Sequence, residues 1–301
     1  MLRNILLITL LSFSLSVYPI AVFHGITGSC EIKDTKNLVN GLKTALNVHV
    51  ECIEIGNGSL DSVIMPLKKQ AEKACENLNT NRNFQSKFSI VGISQGTLIG
   101  RHVIEKCKLN GQVMRYLSFD GPQMGIAAIP KMRCGAFCDW IIKLTEPAFY
   151  ALQDNIAPAA YFRYRYDQAY YNQHNKFLKM LNNENEPRDP EIYRRITSLE
   201  KMKLIKSKSD SIITPRESSW FEFYDGTGAE IIPLEQSDFY IKDYIGLRKL
   251  NEENKLFFTE LREDHIQYTH EEFTKEIVSF FHDDPNVIPK DPIKKTNTPK
   301  N

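Results

Sequence analysis

The chain has 301 residues, of which 42% are hydrophobic and 25% are charged, proportions that are ordinary for a globular protein. Its 38 Lys and Arg residues nearly balance its 37 Asp and Glu residues, so it lacks the basic excess typical of nucleic-acid-binding proteins, and we expect no nucleic-acid partner. Glycine and proline, at 15 and 14 residues, are too few for a collagen-like or low-complexity chain.

The first segment indicates where the mature protein resides. Arg3 is followed by an apolar run over 5–15, and Ser14 and Ser16 have the small-x-small spacing of a signal-peptidase site. A membrane anchor is the alternative, but a bilayer span needs about 18 apolar residues, and serines interrupt this run before that length. We therefore predict a signal peptide over 1–16, no transmembrane segment in the mature chain, and a location in the secretory pathway, either lysosomal or secreted.

Beyond this segment, short apolar runs alternate with patterns of helical period. Because strands that alternate with helices form parallel sheets, we expect an α/β domain over 17–284, with a mostly parallel central sheet and helices on both faces. The residues after it, 285–301, are rich in proline and lysine, and we predict a disordered polar tail. The predicted strands are 19–24, 48–55, 88–92, 113–119, 203–206 and 255–258, and the predicted helices are 37–47, 67–79, 98–107 and 271–281.

The stretch from about 125 to 199 interrupts this alternation and is rich in aromatic residues. We predict a helical insertion, or lid, between the strand that ends at 119 and the strand that begins at 203. The aromatic side chains either pack in the core or line a groove for a fatty substrate, and the sequence leaves both interpretations open. They are Phe149, Tyr150, Tyr161, Phe162, Tyr164, Tyr166, Tyr170 and Tyr171.

The cysteines favour disulfides over a metal site. There are six, an even number, and all lie outside the predicted signal peptide. The pair at 134 and 138 could form half of a zinc site, but no second pair of cysteines or histidines has matching spacing. We therefore predict no metal ligands and disulfide-bonded cysteines throughout: Cys30, Cys52, Cys75, Cys107, Cys134 and Cys138.

The pentapeptide Gly92-Ile93-Ser94-Gln95-Gly96 is a G-x-S-x-G motif. The motif alone is common, but here a predicted strand precedes it and a predicted helix follows it. That context is typical of a nucleophile elbow, in which a strained turn exposes the serine hydroxyl above the sheet. The glycines are needed because strand and helix pass close together there. A turn without catalytic function is the alternative; we predict that Ser94 is a nucleophile.

A serine nucleophile needs a base and an acid that orients the base. With this elbow the order along the chain is serine, acid, histidine. His265 follows the strand over 255–258 and precedes the last helix, which is where the base is expected. Asp210 follows the strand over 203–206 and is the predicted acid. Asp120, which directly follows the strand after the elbow, is the alternative acid.

The reaction also needs two N–H groups that stabilise the oxyanion of the tetrahedral intermediate. One is predicted to be the backbone N–H of Gln95, directly after the nucleophile. The other is predicted in the loop after the first strand, His24-Gly25-Ile26-Thr27-Gly28, at the backbone N–H of Ile26.

These residues resemble a known family, the lysosomal palmitoyl-protein thioesterases of the α/β-hydrolase superfamily. The segment 24–30, HGITGSC, is similar to the HG-x-GD-x-C loop of that family, and the segment 209–224, SDSIITPRESSWFEFY, is the most specific match. The resemblance extends over 19–281, with all matches in the order of the family. The matching stretches are 24–30, 52–58, 92–96, 130–138, 209–224, 232–236, 243–247 and 264–265.

The resemblance implies an α/β-hydrolase fold with Ser94 as nucleophile, Asp210 as acid and His265 as base, and oxyanion amides at Ile26 and Gln95. It also implies the disulfides Cys75–Cys107 and Cys134–Cys138, which leaves Cys30 and Cys52 for a third. The sequence departs from the family at Asp120, where glycine is usual, at Gln123, where histidine is usual, and at Thr27-Gly28, where Gly-Asp is usual.

The implied activity is hydrolysis of the thioester between a long fatty acyl chain, such as palmitoyl, and cysteine in S-acylated proteins or peptides. This chemistry requires no metal or cofactor. The alternatives are a secreted lipase or other oxygen-ester hydrolase, an acyl-CoA thioesterase with the same triad, and a non-catalytic lipid-binding protein. Asn57-Gly58-Ser59 is the N-x-[ST] sequon of the mature chain, so we predict an N-glycan site at Asn57.

Overall fold

The computed structural model describes residues 17–129 and 144–282. Within them, a six-stranded sheet has the order β2-β1-β3-β4-β5-β8, and every neighbouring pair is parallel. A separate antiparallel pair is formed by β6 and β7. The strands are β1 (Ile20–Phe23), β2 (Val50–Cys52), β3 (Lys87–Ile93), β4 (Gln112–Phe119), β5 (Lys201–Ser207), β6 (Phe223–Tyr224), β7 (Ile231–Ile232) and β8 (Leu256–Leu261).

Helices connect the parallel strands and flank the sheet. The α-helices are α1 (Lys33–Leu46), α2 (Asp61–Ile64), α3 (Leu67–Thr80), α4 (Gln95–Lys106), α5 (Glu146–Ala151), α6 (Gln168–His174), α7 (Phe177–Leu181), α8 (Pro190–Thr197), α9 (Asp238–Ile241), α10 (Leu247–Glu252), α11 (His270–Glu272) and α12 (Ser279–Phe281). Short 3-10 helices are Arg82–Phe84, Ala157–Tyr161, Arg216–Trp220 and Leu234–Gln236, and a π-helix spans Phe273–Val278.

The sheet is buried on both faces because side chains of each strand alternate between two hydrophobic clusters. In β1, Ala21 and Phe23 belong to the cluster that contains side chains of α3 and α4. Ile20 and Val22 belong to the opposite cluster, with side chains of α1 and α12. The predicted parallel sheet with helices on both faces is confirmed.

The segment between β4 and β5 contains α5 to α8 in its described part, as predicted for a helical insertion. Of the eight aromatic residues named in the sequence analysis, five are at most 2% exposed and belong to the larger hydrophobic cluster. These five side chains therefore pack in the core. Tyr166, by contrast, is 51% exposed. The five are Phe149, Tyr150, Tyr161, Phe162 and Tyr171.

Several predicted boundaries differ from the structure. The strand predicted over 48–55 is only three residues long: β2 lies at the edge of the sheet in the described part of the chain, where it pairs with the four-residue β1. The helix predicted over 271–281 begins at His270 and contains a π-helix at its centre. There the Lys203 ammonium donates to the backbone oxygen of Glu276, 2.6 Å away, and thereby occupies a helix carbonyl. The sequence did not indicate α9 or α10.

Disulfides join Cys30 to Cys52 and Cys75 to Cys107, with Cα atoms 5.6 Å and 5.7 Å apart. These are two of the three pairs considered above, and they fit an oxidising compartment. Cys134 and Cys138 lie outside the described residues, as do the predicted signal peptide and the predicted polar tail. No helix in the described part of the chain is long and apolar enough to cross a membrane.

Candidate active site

Ser94 occupies a strained turn between β3 and α4. Its φ of 51° and ψ of −124° lie where residues with a side chain rarely occur. The flanking glycines make the turn possible. A Cβ on Gly96 would lie 2.3 Å from the backbone oxygen of Phe23, and a Cβ on Gly92 would lie 2.4 Å from the Cα of Thr97. The turn therefore has the close strand–helix approach of a nucleophile elbow.

Ser94, His265 and Asp210 form one hydrogen-bonded chain. His265 Nε2 lies 3.0 Å from Ser94 Oγ, and His265 Nδ1 lies 2.8 Å from Asp210 Oδ2. The other oxygen of Asp210 accepts from the backbone N–H groups of Ile212 and Ile213, at 2.8 Å and 2.9 Å. A carboxylate facing Nδ1 favours the tautomer that is protonated there, so Nε2 is left to accept the serine proton.

The electrostatics of the site act mainly on His265. Its burial lowers the pKa of the imidazole, but the hydrogen bond and charge of Asp210, followed by the charges of Asp120 and Asp264, outweigh burial and leave the pKa raised. Neighbouring carboxylates favour the imidazolium because opposite charges attract strongly where water is excluded. The site is therefore suited to hold a proton on the histidine transiently.

Asp120, the alternative acid, lies nearby without a hydrogen bond to the imidazole. Its Oδ2 is 3.9 Å from His265 Nδ1, whereas that of Asp210 is 2.8 Å away. Burial raises the pKa of Asp120 to about 6, and the charge of Asp210 adds to this, against the lowering effects of His265 and of the hydrogen bonds from Ile266 and Ser207. The geometry thus favours Asp210 as the partner of the histidine.

The two predicted oxyanion amides lie on the two segments that adjoin Ser94. Gln95 is the first residue of α4, so its N–H has no partner within the helix. Ile26 lies in the loop after β1, and this loop passes close to the serine: a Cβ on Gly25 would lie 2.9 Å from Ser94 Cβ. Within the described residues neither amide donates a hydrogen bond, so both are free to bind an oxyanion.

The sequence model of the palmitoyl protein thioesterase family matches residues 19–265. The chain belongs to this family.

Three named relatives resemble the chain over most of its length. Palmitoyl-protein thioesterase 3 of Dictyostelium discoideum is 32% identical over 91% of this chain and 94% of its own. Palmitoyl-protein thioesterase 1 of Caenorhabditis elegans is 25% identical over 86% of this chain and 90% of its own. The lysosomal thioesterase PPT2 homolog of Drosophila melanogaster is 25% identical over 82% of this chain and 84% of its own. The protein is therefore an enzyme, a thioesterase-type hydrolase with the predicted α/β-hydrolase fold.

Among solved structures, the esterase Pf2001 of Pyrococcus furiosus aligns with 88% of this chain and 82% of its own, with a TM-score of 0.46 and 12% identity. A similarity this distant carries no information about substrate.

The structure adds a contact to the loop after β1 that the sequence analysis missed. His24 is buried, its Nδ1 lies 3.0 Å from the backbone oxygen of Gly25, and its Nε2 lies 3.1 Å from Glu54 Oε1. The second oxygen of Glu54 accepts from the backbone N–H of Cys30 at 2.7 Å. Glu54 thus ties both ends of the loop that carries Ile26 to the segment after β2. The only sequence signal was an acidic residue within the strand predicted over 48–55.

A second missed contact links the elbow to the insertion. The Gln95 amide donates to the backbone oxygen of Ser62 at 2.8 Å and to Gln70 Oε1 at 3.2 Å. The hydroxyl of Tyr161 donates to Gln95 Oε1 at 3.1 Å. Because all of these groups are buried, each depends on the others for its hydrogen bonds. The side chain of Gln95 therefore helps to fix the position of the insertion.

Gln123, one of the departures from the family pattern, belongs to a different buried network. Its amide donates to Ser118 Oγ at 2.7 Å, and its oxygen accepts from the Arg101 guanidinium at 3.1 Å. Arg101 also donates to Asn182 Oδ1 of the insertion at 2.8 Å. Gln123 thus helps to connect the elbow helix α4 with the insertion.

In the described part of the chain, two clusters each bring three potential metal-binding side chains together: His24, Cys30 and Glu54, and Asp120, Asp210 and His265. In both clusters these side chains are already engaged in other bonds. In the first, the sulfur of Cys30 is in a disulfide and is not a metal ligand. The second is His265 with its two aspartates, whose oxygens face N–H and O–H donors. Neither donor set fits a resident metal.

Proposed function

We propose that the enzyme hydrolyses the thioester between a long fatty acyl chain and a cysteine of S-acylated proteins or peptides, with Ser94 as nucleophile, His265 as base and Asp210 as the acid that orients the base. The observation that carries this proposal is the hydrogen-bonded chain from Ser94 Oγ through the imidazole to Asp210 Oδ2, at 3.0 Å and 2.8 Å, on a strained elbow. Membership in the family supports the acylated substrate.

Acylation begins when Ser94 Oγ attacks the thioester carbonyl carbon and its proton passes to His265 Nε2. The carbonyl electron pair moves to the oxygen, which the N–H groups of Ile26 and Gln95 bind. When the intermediate collapses, the C–S bond breaks and His265 gives its proton to the departing cysteine sulfur. The products of this half-reaction are the acyl-serine and the free cysteine thiol.

Deacylation repeats these steps with water. His265 takes a proton from the water, whose oxygen attacks the acyl carbon, and the same amides bind the second oxyanion. Collapse breaks the C–Oγ bond, and the proton on His265 returns to Ser94. The fatty acid is released and the enzyme is regenerated without a metal or cofactor. Each methylene of the acyl chain that becomes buried contributes about 0.8 kcal/mol to binding, so a chain of about sixteen carbons can bind tightly.

We further propose that the protein enters the secretory pathway and acts in the lysosome or outside the cell. The two disulfides support an oxidising compartment. The name of the Drosophila relative is that of a lysosomal thioesterase. Asn57, the predicted glycan site, is exposed in a turn between β2 and α2, where a transferase can reach it.

The test is hydrolysis of a palmitoyl-cysteine peptide by the purified protein, with the matching oxygen ester and palmitoyl-CoA as comparison substrates. Ser94→Ala should reduce kcat by several orders of magnitude. Ser89→Ala is the matched control, since Ser89 lies on the same strand, is buried, and its hydroxyl has no hydrogen-bond partner within the described residues. We expect it to retain full activity.

Retention of more than a few per cent of activity by Ser94→Ala would contradict the assignment of the nucleophile. Faster turnover of the oxygen ester would instead indicate a lipase-type enzyme, and faster turnover of palmitoyl-CoA an acyl-CoA thioesterase. A serine-reactive phosphonate should label the wild-type protein and the Ser89→Ala variant but not Ser94→Ala. Absence of labelling in the wild type would favour a non-catalytic lipid-binding protein.

A further inference from the structure

Asp120 is a fully buried carboxylate that the mechanism above does not use. One of its oxygens accepts from the backbone N–H of Ser207 at 2.6 Å. The other accepts from the Ser207 hydroxyl at 2.8 Å and from the backbone N–H of Ile266 at 2.6 Å. Ser207 is the last residue of β5, and Ile266 directly follows His265. The carboxylate therefore connects the end of β4, the end of β5 and the loop that carries the histidine.

The backbone at both ends of this connection is strained. Asp120 has a φ of 47° and Ile266 has a φ of 53°, which is the left-handed region. A β-branched residue is a rare occupant of this region, because its Cβ substituents crowd the backbone. Such conformations persist where surrounding contacts impose them. The hydrogen bond from the Ile266 N–H to Asp120 supports this conformation directly beside His265, together with the packing of Ile266 against a hydrophobic cluster.

The carboxylate also lies within electrostatic reach of the imidazole. Its Oδ2 is 3.9 Å from His265 Nδ1, too far for a hydrogen bond but close for a buried ion pair. The other titratable groups that face His265 are Asp210, hydrogen-bonded to Nδ1, and Asp264, which accepts from the histidine backbone N–H at 2.7 Å. Both are acidic, so the imidazole is surrounded by carboxylates.

We propose that Asp120 is a positioning residue for His265, whose carboxylate fixes the loop that carries the histidine and places a second negative charge beside the imidazolium that forms when Ser94 loses its proton. This inference rests on the roles proposed above for Ser94 and His265.

The second charge has a predictable effect on the pH dependence of activity. His265 acts as a base only when it is neutral, so activity is lost as the pH falls through its pKa. An ionised Asp120 stabilises the imidazolium and raises the pKa of His265, which moves the acidic limb of kcat/KM to higher pH. Burial raises the pKa of Asp120 itself to about 6. Because the two groups interact electrostatically, the macroscopic pKa values seen in the profile belong to the pair.

The experiment is the pH profile of kcat/KM for Asp120→Asn and Asp120→Gly with a palmitoyl-thioester peptide. Both variants remove the charge, and we expect the acidic limb to move to lower pH by about one unit. Asparagine has a single acceptor oxygen, so either the Ser207 N–H or the Ile266 N–H loses its partner and kcat should fall about tenfold. Glycine adopts a positive φ without strain, and it keeps the test valid if the asparagine variant fails to fold.

Glu263→Gln is the matched control. It removes one carboxylate only two residues before His265, but Glu263 is exposed and water screens its charge. The acidic limb of the kcat/KM profile of Glu263→Gln should therefore coincide with that of the wild type. A lower kcat with an unmoved limb in both Asp120 variants would overturn the inference and leave a purely structural role. Activity in Ser94→Ala would instead defeat the proposed function, so the two failures are distinguishable.

Discussion

Replacement of Asp210 by asparagine should greatly reduce kcat. In the wild type, Asp210 Oδ1 accepts from the N–H groups of Ile212 and Ile213, and Oδ2 faces His265 Nδ1. An asparagine has only one acceptor oxygen. If that oxygen stays with the two backbone N–H groups, the amide NH₂ points at the imidazole. It then donates to Nδ1, which favours the tautomer that is protonated at Nε2. This tautomer cannot accept the proton of Ser94.

The size of the expected loss in kcat follows from the hydrogen bonds that the asparagine amide keeps in each of its two orientations. Turning the oxygen toward the histidine breaks the two backbone bonds at about 1 kcal/mol each, or about 2 kcal/mol in all, which favours the inactive orientation about 30-fold. The active orientation also lacks the negative charge that stabilises the imidazolium, which costs about a further 10- to 100-fold. Together, these effects predict a loss of about 300- to 3,000-fold in kcat.

Asp210→Ala separates this explanation from a loss of folding. Alanine cannot accept from Ile212 and Ile213, so the variant should be less stable by about 1–3 kcal/mol and unfold about 2–10 °C below the wild type. It also presents no donor to Nδ1, so the imidazole is free to adopt the productive tautomer. We therefore expect Asp210→Ala to be less stable than Asp210→Asn yet at least as active.

The assay is thioester hydrolysis by both variants, together with their thermal unfolding. Opposite rankings in stability and activity are expected, with asparagine the more stable and the less active. The tautomer argument would be refuted if the asparagine variant kept more than a tenth of wild-type kcat, or if its kcat were clearly higher than that of the alanine variant. If Asp120→Asn were the more damaging of the two aspartate variants, the acid would have to be Asp120.

Three further outcomes are expected. The unreduced protein should be six protons lighter than the fully reduced chain if all six cysteines pair, and a free thiol at Cys134 or Cys138 would exclude their bond. An N-glycosidase should shift the secreted protein by a single step that disappears in Asn57→Gln, and a second step would mean another glycan site. Tyr161→Phe should lower the free energy of unfolding by about 1 kcal/mol in urea, because Gln95 loses a buried donor; an unchanged midpoint would show that this bond contributes nothing.

Local features of the site could be predicted from the sequence because short segments determine them. Gly92 and Gly96 indicate the elbow, since any side chain at either position would collide with backbone or with the next turn of α4. His265 could be placed because one strand precedes it and one helix follows. In both cases the required information lies within a few residues of the functional group.

Contacts between distant segments could not be predicted in the same way. Glu54 contacts both ends of the loop after β1, through His24 and Cys30, and Tyr161 reaches Gln95 from the insertion. Neither pair has a local pattern that relates its members, because each contact depends on how whole elements pack. The edge position of β2 and the π-helix after His270 are likewise consequences of packing rather than of periodicity.

The sequence ranked Asp210 above Asp120 as the acid, but it did so by chain order and by resemblance to the family, not by what distinguishes the two carboxylates in the fold. Asp120 and Asp210 follow adjacent parallel strands, so their side chains emerge at the same edge of the sheet, near His265. What distinguishes them is the set of backbone donors around each carboxylate. The N–H groups of Ile212 and Ile213 hold one oxygen of Asp210 and leave the other for the imidazole. The donors around Asp120 occupy both of its oxygens, so it can act on the histidine through its charge and through the backbone of the histidine loop, but not through a hydrogen bond to the ring.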